Sequence, residues 1–266
     1  MNQSTPSQQG GPEFDINTAS RLDAHSDALA TKPELRTLFG DIHQRFLRYE
    51  TDYGLARVGV RVELGSGVYP LKRSDNDVFA AEVVPGSNVD LLFDAQHMPF
   101  SAGSVRTLFL QNVFHHFSDP SLFFTEASRV LAEGGTVIML EPHASFLGRL
   151  IYPRLFATET FDRKMRGWRA PQGGPMEGAN QALSDIVFRR DRRLFDTTFP
   201  SLSVVAEGVD HGWFRYLASG GLNFRRVAPR WAFGLARRYE RHLGPLHGVF
   251  GIHHYIVLRK ESPGPR

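Results

Sequence analysis

A seven-residue run, RVELGSG at 61–67, combines an acid with two glycines. It reads as a buried strand that ends near Glu63 and opens into a turn containing Gly65, Ser66 and Gly67. Doubly wound α/β proteins use such a unit to bring backbone close to a nucleotide-like cofactor. The run predicts a cofactor-binding turn, although Gly-x-Gly after a strand also occurs in turns that bind nothing.

The residues after this turn narrow the class of cofactor. A dinucleotide site needs a third glycine and a helix whose N-terminus faces a pyrophosphate. Pro70 stands at that place, and only about ten residues separate Gly67 from the next apolar run. The first helix is therefore predicted to be short or missing, which favours a cofactor without phosphates over a nicotinamide dinucleotide.

Histidines and acids follow two later apolar runs. His115 and His116 come after the fourth run, and Glu141 and His143 come after the fifth. In open α/β sheets, ligands bind at the carboxyl ends of the strands. Each of the four residues is a candidate general base that would take a proton from a substrate. Packing of the loop is the alternative role for each.

The elements that would position these residues follow from the hydrophobic pattern. Helical spacing predicts a helix over 34–50, and Ser118 or Asp119 would cap a second helix that ends at Gly134-Gly135. Short apolar runs that end near polar residues predict strands at 58–64, 77–82, 89–93, 105–110, 136–140, 202–206 and 253–258. This order fits a mostly parallel sheet with covered faces.

Five motifs in the order expected, across roughly 58–142, resemble those of the class I S-adenosylmethionine-dependent methyltransferases of the type 11-like kind. They are ELGSG at 63–67, Glu82 at the end of the second strand, DAQHMPF at 94–100, NVFHHFSDP at 112–120 and RVLAEGG at 129–135. The resemblance implies an α/β, Rossmann-like fold with a mostly parallel seven-stranded sheet and helices on both faces. It also implies S-adenosyl-L-methionine as the cofactor and a C-terminal helical substrate cap.

The resemblance further implies which residues bind the cofactor: Glu63, Gly65, Ser66, Gly67, Glu82, Asp94, Ala95 and Asn112. Carboxylate oxygens accept hydrogen bonds from a ribose diol, so Glu82 would bind the ribose unless it is a solvated strand-end acid. Asp94 would accept from the adenine amino group or form a turn. Glu63 would contact the cofactor or only order the loop. Tyr69 departs from the third glycine of many members.

Methyl transfer from a sulfonium is a direct displacement, in which positioning can contribute more than a base. The base, the acceptor and the acceptor atom stay open at this point.

Composition restricts the alternatives. The chain has no cysteine, which excludes disulfides, thiolate nucleophiles and Cys-ligated zinc. The spacing of the histidines at 211, 242, 247, 253 and 254 matches no zinc pattern, so no metal is predicted.

Charge divides the chain into two halves. Residues 1–144 carry 11 basic and 18 acidic side chains, whereas residues 145–266 carry 20 basic and 10 acidic ones. The Arg-rich half indicates a surface for an anionic substrate or an anionic membrane, or a solvated helix face. No nucleic-acid-binding motif accompanies it. No apolar run approaches the roughly 18 residues of a membrane span, and a cytoplasmic protein, peripheral at the inner membrane face, is expected.

The predicted organisation is a disordered tail at 1–32, a methyltransferase domain at 33–260 and a short tail at 261–266. Within the domain, 58–142 would bind the cofactor, and 144–200 and 209–250 would form cap insertions. The function expected is methyl transfer to oxygen or nitrogen of a small or lipid- or glycan-linked metabolite. The alternatives are a non-catalytic binding module with an Arg-rich surface, and a nicotinamide-dependent oxidoreductase. The sequence does not predict the oligomeric state.

Overall fold

The computed structural model describes residues 20–156, 159–170, 178–240, 242–244 and 246–262. Within these ranges seven strands form one sheet in the order β3-β2-β1-β4-β5-β7-β6. The strands are β1 (Val60–Leu64), β2 (Val78–Glu82), β3 (Leu91–Leu92), β4 (Val105–Gln111), β5 (Leu131–Pro142), β6 (Leu202–Val209) and β7 (His253–Lys260). Only β7 runs antiparallel to its neighbours among these strands. The predicted fold class, with its mostly parallel seven-stranded sheet, is confirmed.

Helices cover both faces of the sheet. They are α1 (Ser20–Thr31), α2 (Pro33–Tyr53), α3 (Pro120–Val130), α4 (Phe146–Leu155), α5 (Leu183–Asp185), α6 (Arg192–Thr198), α7 (Trp213–Ser219), α8 (Ala232–Glu240) and α9 (Leu246–Phe250). A π-helical turn, Ile186–Arg190, joins α5 to α6. Between β1 and β2 the chain forms only a 3-10 turn, Leu71–Arg73, as Pro70 and the short spacing predict.

Two apolar layers hold the sheet. On one face, α2 buries a stripe that recurs at helical spacing, and this stripe packs against Phe109, Ile138 and Val257. On the other face, rings from α3 and the chain after β5 surround Phe114. The residues in this aromatic group are Phe114, Phe123, Phe124, Phe188, Phe195 and Phe199. The carboxyl ends of β1, β2 and β4 are therefore fixed from both sides.

The end of α3 differs from the prediction. Asp119 caps the helix by accepting a hydrogen bond from the Ser121 N–H at 3.0 Å, and Pro120 occupies its first turn, as predicted. The helix stops at Val130 rather than at Gly134-Gly135, and β5 already begins at Leu131. Leu131 enters the strand because it pairs with β4, and its carbonyl accepts from the Lys260 ammonium at 2.7 Å.

The expected disordered tail at 1–32 is wrong for its last part. Residues 20–31 form α1, which buries Leu22 and Leu29 at a seven-residue spacing. Lys32 is also buried, and its ammonium donates to the Gly221 carbonyl at 2.6 Å. Leu22 and Leu29 give the segment an apolar face. The polar composition of the whole tail does not indicate this face. Residues 1–19 lie outside the described part of the chain.

The C-terminal half supplies helices where cap insertions were predicted. The segments α4 to α6 lie between β5 and β6, and α7 to α9 lie between β6 and β7. Gly220 ends α7 in the left-handed region, with φ of 73°, as the Gly220-Gly221 break predicts. Of the Gly/Pro stretch at 170–180, residues 171–177 lie outside the described residues. Among the helices that the structure describes, none has the length and apolar character needed to cross a membrane.

Candidate functional site

The glycine turn after β1 has the backbone that its sequence predicts. Gly65 and Gly67 both lie in the left-handed region, with φ of 63° and 57°. A Cβ on Gly65 would clash with the side chain of Val113, whereas a Cβ on Gly67 would meet no atom within 4 Å. Gly65 therefore allows the loop after β4 to pack on the turn, and Gly67 faces open space.

Two acids accept hydrogen bonds from the backbone of this turn and of the residues that follow it. Glu82, at the end of β2, accepts from the Gly67 N–H at 2.8 Å. Glu63 accepts from the Leu71 N–H at 2.6 Å. Burial raises the pKa of Glu63 to about 8; the Leu71 N–H opposes this shift, and the charge of Glu82 adds to it. The side chain of Glu63 therefore orders the loop, which is one of the two roles that the sequence left open.

Two buried polar atoms beside the turn have no hydrogen-bond partner among the residues that the structure describes. They are the Ser66 hydroxyl oxygen and Asn112 Oδ1. Asn112 follows β4 with φ of 55°, a backbone conformation that residues other than glycine rarely adopt. Its N–H donates to the Leu140 carbonyl at 2.8 Å. An unpaired buried acceptor is costly, so a ligand group or a water molecule is expected to donate to each of these atoms.

Asp94 lies further along the same edge of the sheet. Its carboxylate is exposed and accepts from the Gln96 N–H at 2.8 Å, so it forms the turn that the sequence gave as an alternative. Ala95 beside it is buried. Gln96 in turn accepts from the Asp119 N–H at 3.0 Å, which ties this loop to the start of α3.

Glu141 and His115 form a buried pair at the ends of β5 and β4. Glu141 is fully buried and accepts from the N–H groups of Val113 and Phe114, each at 2.9 Å. It also lies 2.7 Å from His115 Nδ1. Burial lowers the pKa of His115, but the carboxylates of Glu141 and Glu159 outweigh this and raise it to about 10. Glu141 therefore fixes the His115 ring through its Nδ1.

His143 belongs to a second group of side chains. Its Nδ1 lies 3.2 Å from Asp185, and its ring stacks on that of His254 with centroids 4.9 Å apart. Burial raises the pKa of Asp185, but His143 and neighbouring donors lower it to about 2 overall. Burial lowers the pKa of His254 to about 3, and its Nε2 lies 2.8 Å from the Ser184 hydroxyl.

A small cleft opens between α2, α7, the carboxyl ends of β4 and β5, and the amino end of the antiparallel strand β7. It begins at Asn112 and is lined by Leu38, Phe39, Ile42, Gln111, Asn112, Leu140, Asp210, Gly212, Tyr216 and His253. Apolar side chains from α2 form one wall, and Asp210, Tyr216 and His253 form the other. Burial, with the charge of Glu159, raises the pKa of Tyr216 to about 12. Burial lowers the pKa of His253 to about 4.

The structure thus brings most of the sequence-predicted residues to one edge of the sheet. Gly65, Ser66, Gly67 and Glu82 surround the turn, and Asn112 joins the turn to the cleft. The acids Glu159, Asp185 and Asp210 and the ring of Tyr216 were missed. They lie in the C-terminal half, where no motif marks them, and the fold alone brings them to β4 and β5.

Comparisons with known proteins agree with this fold. A family model described as a methyltransferase domain matches residues 62–139. A search among curated proteins found none that matches the chain. Among solved structures, one similar chain comes from the complex between the Haloferax volcanii Trm112 methyltransferase activator and a candidate methyltransferase. It shares 13% identity and a TM-score of 0.50, with 94% of this chain and 100% of that chain covered, and it shows a common fold.

Two further structures resemble the chain less closely in shape. Geranyl diphosphate C-methyltransferase from Streptomyces coelicolor has 12% identity and a TM-score of 0.47, over 82% of this chain and 78% of its own. Its structure contains Mg2+, geranyl diphosphate and S-adenosyl-L-homocysteine. A phosphoethanolamine N-methyltransferase from Haemonchus contortus, with phosphomonomethylethanolamine and S-adenosylhomocysteine, has 13% identity and a TM-score of 0.44. It matches over 82% of this chain and 53% of its own.

Proposed function

Because residues 62–139 belong to the methyltransferase domain of the class I, S-adenosylmethionine-dependent family, we propose that this chain binds S-adenosylmethionine at the glycine turn and methylates an acceptor held in the adjoining cleft. The cofactor supplies an electrophilic methyl group on a sulfonium. The observation that carries the proposal is the contact between Glu82 and Gly67, which supports Glu82 as the acid that would bind the ribose beside the turn.

The residues around the turn fit this cofactor. Gly67 leaves open space where a Cβ would stand, so backbone is accessible to a ligand. Glu82 accepts from the Gly67 N–H with one oxygen and from the Val83 N–H at 3.3 Å with the other, and each oxygen has a further lone pair for a ribose hydroxyl. Within the described part of the chain, Ser66 and Asn112 each present a buried acceptor without a partner, which suits donor groups of a ligand. Ala95 would lie beside adenine, and Asp94, whose carboxylate forms a turn, would reach the adenine amino group.

The chain's own contribution to transfer is positioning. Glu141 accepts hydrogen bonds from the loop after β4, and this loop packs on Gly65 through Val113. The turn and the mouth of the cleft are therefore held as one unit, which would fix an acceptor in line with the methyl group. We propose Glu141 and His115 as positioning residues. His116 and His143 stay candidates for the base.

The cleft supports an acceptor with both apolar and polar parts. Its α2 wall would contact a hydrocarbon or ring, and Asp210, Tyr216 and His253 would bind hydroxyl or amino groups. We propose oxygen or nitrogen as the atom methylated, on a small or lipid- or glycan-linked metabolite. The test is transfer of labelled methyl to extracted metabolite fractions: loss of incorporation in Tyr216→Phe and His253→Ala variants would support the cleft as the acceptor site.

Isothermal titration with S-adenosylmethionine and S-adenosylhomocysteine tests cofactor binding directly. Binding of both with one site per chain is expected. The absence of heat for either at millimolar concentration would contradict the proposal. An Asn112→Ala variant should bind both ligands more weakly, because the substitution removes the Oδ1 acceptor beside the turn.

A surface on the cap helices supports peripheral contact with an anionic membrane. Helices α4, α7 and α9 share one apolar cluster around Tyr152, Trp213 and Ile252. Outside it, α8 and the residue before it expose Trp231, Leu235 and Tyr239 at four-residue spacing. Exposed arginines at 225, 230, 237 and 238 accompany them. Apolar rings with flanking positive charge are typical of helices that lie in a membrane interface.

Vesicle co-sedimentation tests this surface. Binding to vesicles containing anionic lipid should fall as salt rises, because screening weakens the attraction between exposed charges. A Trp231→Ala, Leu235→Ala double variant should lose binding, whereas Leu92→Ala, at an exposed apolar residue on β3, should not. Equal binding to neutral vesicles, or no response to salt, would contradict the electrostatic part of the proposal.

A further inference from the structure

His115 lies between two carboxylates. Its Nδ1 is 2.7 Å from Glu141, and its Nε2 is 3.2 Å from an oxygen of Glu159. His115 and Glu141 are buried, and the side chain of Glu159 is 18% exposed. The Glu141 side of the imidazole is therefore inaccessible to solvent, whereas the Glu159 side is partly accessible.

Glu141 fixes the orientation of this imidazole. Its oxygens accept from the N–H groups of Val113 and Phe114, so the carboxylate is an acceptor, and His115 Nδ1 must carry the hydrogen that points at it. The lone pair of Nε2 then faces an oxygen of Glu159. Two lone pairs at 3.2 Å repel unless a positive centre lies between or beside them. A metal cation bound to both atoms would be such a centre, as would a second proton on His115.

A third metal-binding group stands beside this pair. The ring of His116 lies against that of His115, with centroids 4.1 Å apart. One ligand atom from each of His115, His116 and Glu159 lies within 4.8 Å of the other two. In a tetrahedral site with bonds of about 2.0–2.2 Å, ligand atoms stand roughly 3.5 Å apart, so small side-chain movements suffice. A ligating histidine that donates its other N–H to a carboxylate is the usual arrangement around a bound metal.

We propose that His115, His116 and Glu159 form a binding site for a first-row divalent cation of the Zn2+ type. Two imidazoles and one carboxylate match the ligand preference of such ions. Three protein ligands leave a coordination position for a water or a substrate atom. The sequence offers no sign of this site because Glu159 lies 43 residues after His116, within the cap.

The second histidine group is less suited to a cation. His143, Asp185 and His254 also lie within ligand range of one another. Asp185, however, already accepts from the Ala144 N–H at 2.5 Å and lies 3.6 Å from the Arg189 guanidinium. Arg189 supplies the positive charge that a metal would supply, so the group is satisfied as an ion-pair network.

The position of the proposed site gives it a role that rests on the proposed function. His253, which lines the cleft, pairs with Pro142 next to Glu141, and Glu141 contacts His115. The cleft therefore lies beside the proposed metal site. A cation there would hold an oxygen or nitrogen atom of the acceptor, and the metal would act by orienting that atom.

Titration of Zn2+ into chelator-treated, full-length protein tests the site without any cofactor or acceptor. We expect one Zn2+ per chain in calorimetry, and a visible absorption band when Co2+ replaces it. Glu159→Gln and His116→Ala should each lower the affinity by roughly tenfold or more, since even outer-shell partners of a metal contribute 10–100-fold. His242→Ala, which removes an exposed histidine on the turn after α8, should leave it unchanged.

Circular dichroism of each variant shows whether it is folded, and two different ligand variants guard against misfolding of one. Absence of Zn2+ binding by the folded wild type would overturn the inference, as would unchanged affinity in both folded ligand variants. Titration of S-adenosylhomocysteine into metal-free protein separates the two proposals. Cofactor binding without metal binding would overturn only the metal site, whereas metal binding without cofactor binding would overturn only the proposed function.

Discussion

Glu82 accepts a hydrogen bond from the Gly67 N–H at 2.8 Å, so the acid that ends β2 and the glycine turn that follows β1 form one unit. Parallel pairing places the ends of these strands side by side, with Leu64 opposite Ala81. A substitution in either residue should therefore affect binding of the same ligand. The remaining lone pairs of Glu82 would accept hydrogen bonds from hydroxyl groups of that ligand.

Replacement of Glu82 by alanine should weaken binding of S-adenosylmethionine by about 1–3 kcal/mol, because charged hydrogen bonds to the ribose are lost. This corresponds to roughly 5–150-fold in the dissociation constant. Calorimetric titration measures it. Asp77→Ala is the matched control, since it removes an exposed acid next to the opposite end of β2. Equal affinity in the Glu82→Ala and control proteins would remove Glu82 from the site.

The two glycines of the turn should respond differently to alanine. Gly65→Ala combines a left-handed backbone, which costs about 1–2 kcal/mol, with a clash against Val113, so it should lower the free energy of unfolding markedly. Gly67→Ala carries only the backbone cost, but its methyl group would occupy the open space beside the turn. It should keep the fold and lose affinity for S-adenosylhomocysteine. Urea unfolding and calorimetry distinguish the two effects, and full affinity in folded Gly67→Ala would place the ligand elsewhere.

Glu63 should make stability depend on pH. Burial raises its pKa to about 8 in the folded chain, against a reference value of 4.5, so between these values the folded state holds a proton that the unfolded state releases. The free energy of unfolding should therefore fall as pH rises from 4.5 to 8, by at most about 1.4 kcal/mol per pH unit from this group. Glu63→Gln cannot ionise and keeps an acceptor for the Leu71 N–H. Its unfolding curves should fall less steeply over that range; identical slopes would show that Glu63 is ionised when folded.

Glu141→Ala should destabilise the fold by about 3–5 kcal/mol, because it leaves buried N–H groups and the buried His115 ring without their acceptor. Glu133→Ala removes an exposed acid on the same strand and should change stability by less than about 0.5 kcal/mol. Urea unfolding of both variants checks this. A mild effect of Glu141→Ala would mean that the loop after β4 is held by other contacts, and would reopen Glu141 as a catalytic base.

The sequence predicted the sheet and the turn because local patterns determine them. Gly65 and Gly67 satisfy a backbone requirement within the turn itself, and Asp119 with Pro120 marks a helix start that depends on adjacent residues. The boundaries that failed depend on distant partners. Leu131 joins β5 because β4 and Lys260 meet it, and α1 forms because Leu22 and Leu29 are buried in the fold.

The polar residues of the site show the same division. Glu82 and Asn112 lie at strand ends, where motif order predicts a ligand, whereas Glu159 and Tyr216 reach the candidate site only through the folding of the C-terminal half. Histidine roles were the hardest to predict. Sequence neighbours His115 and His116 differ because Glu141 holds the first in place through a bond across 26 residues.

Crystallographic analysis of the chain with S-adenosylhomocysteine tests the central claim most directly. We expect the ribose hydroxyls within hydrogen-bonding distance of the Glu82 carboxylate, and the protein backbone at Gly67 in contact with the ligand. Density for the ligand away from both residues, or a Glu82 carboxylate that contacts no part of it, would contradict the account.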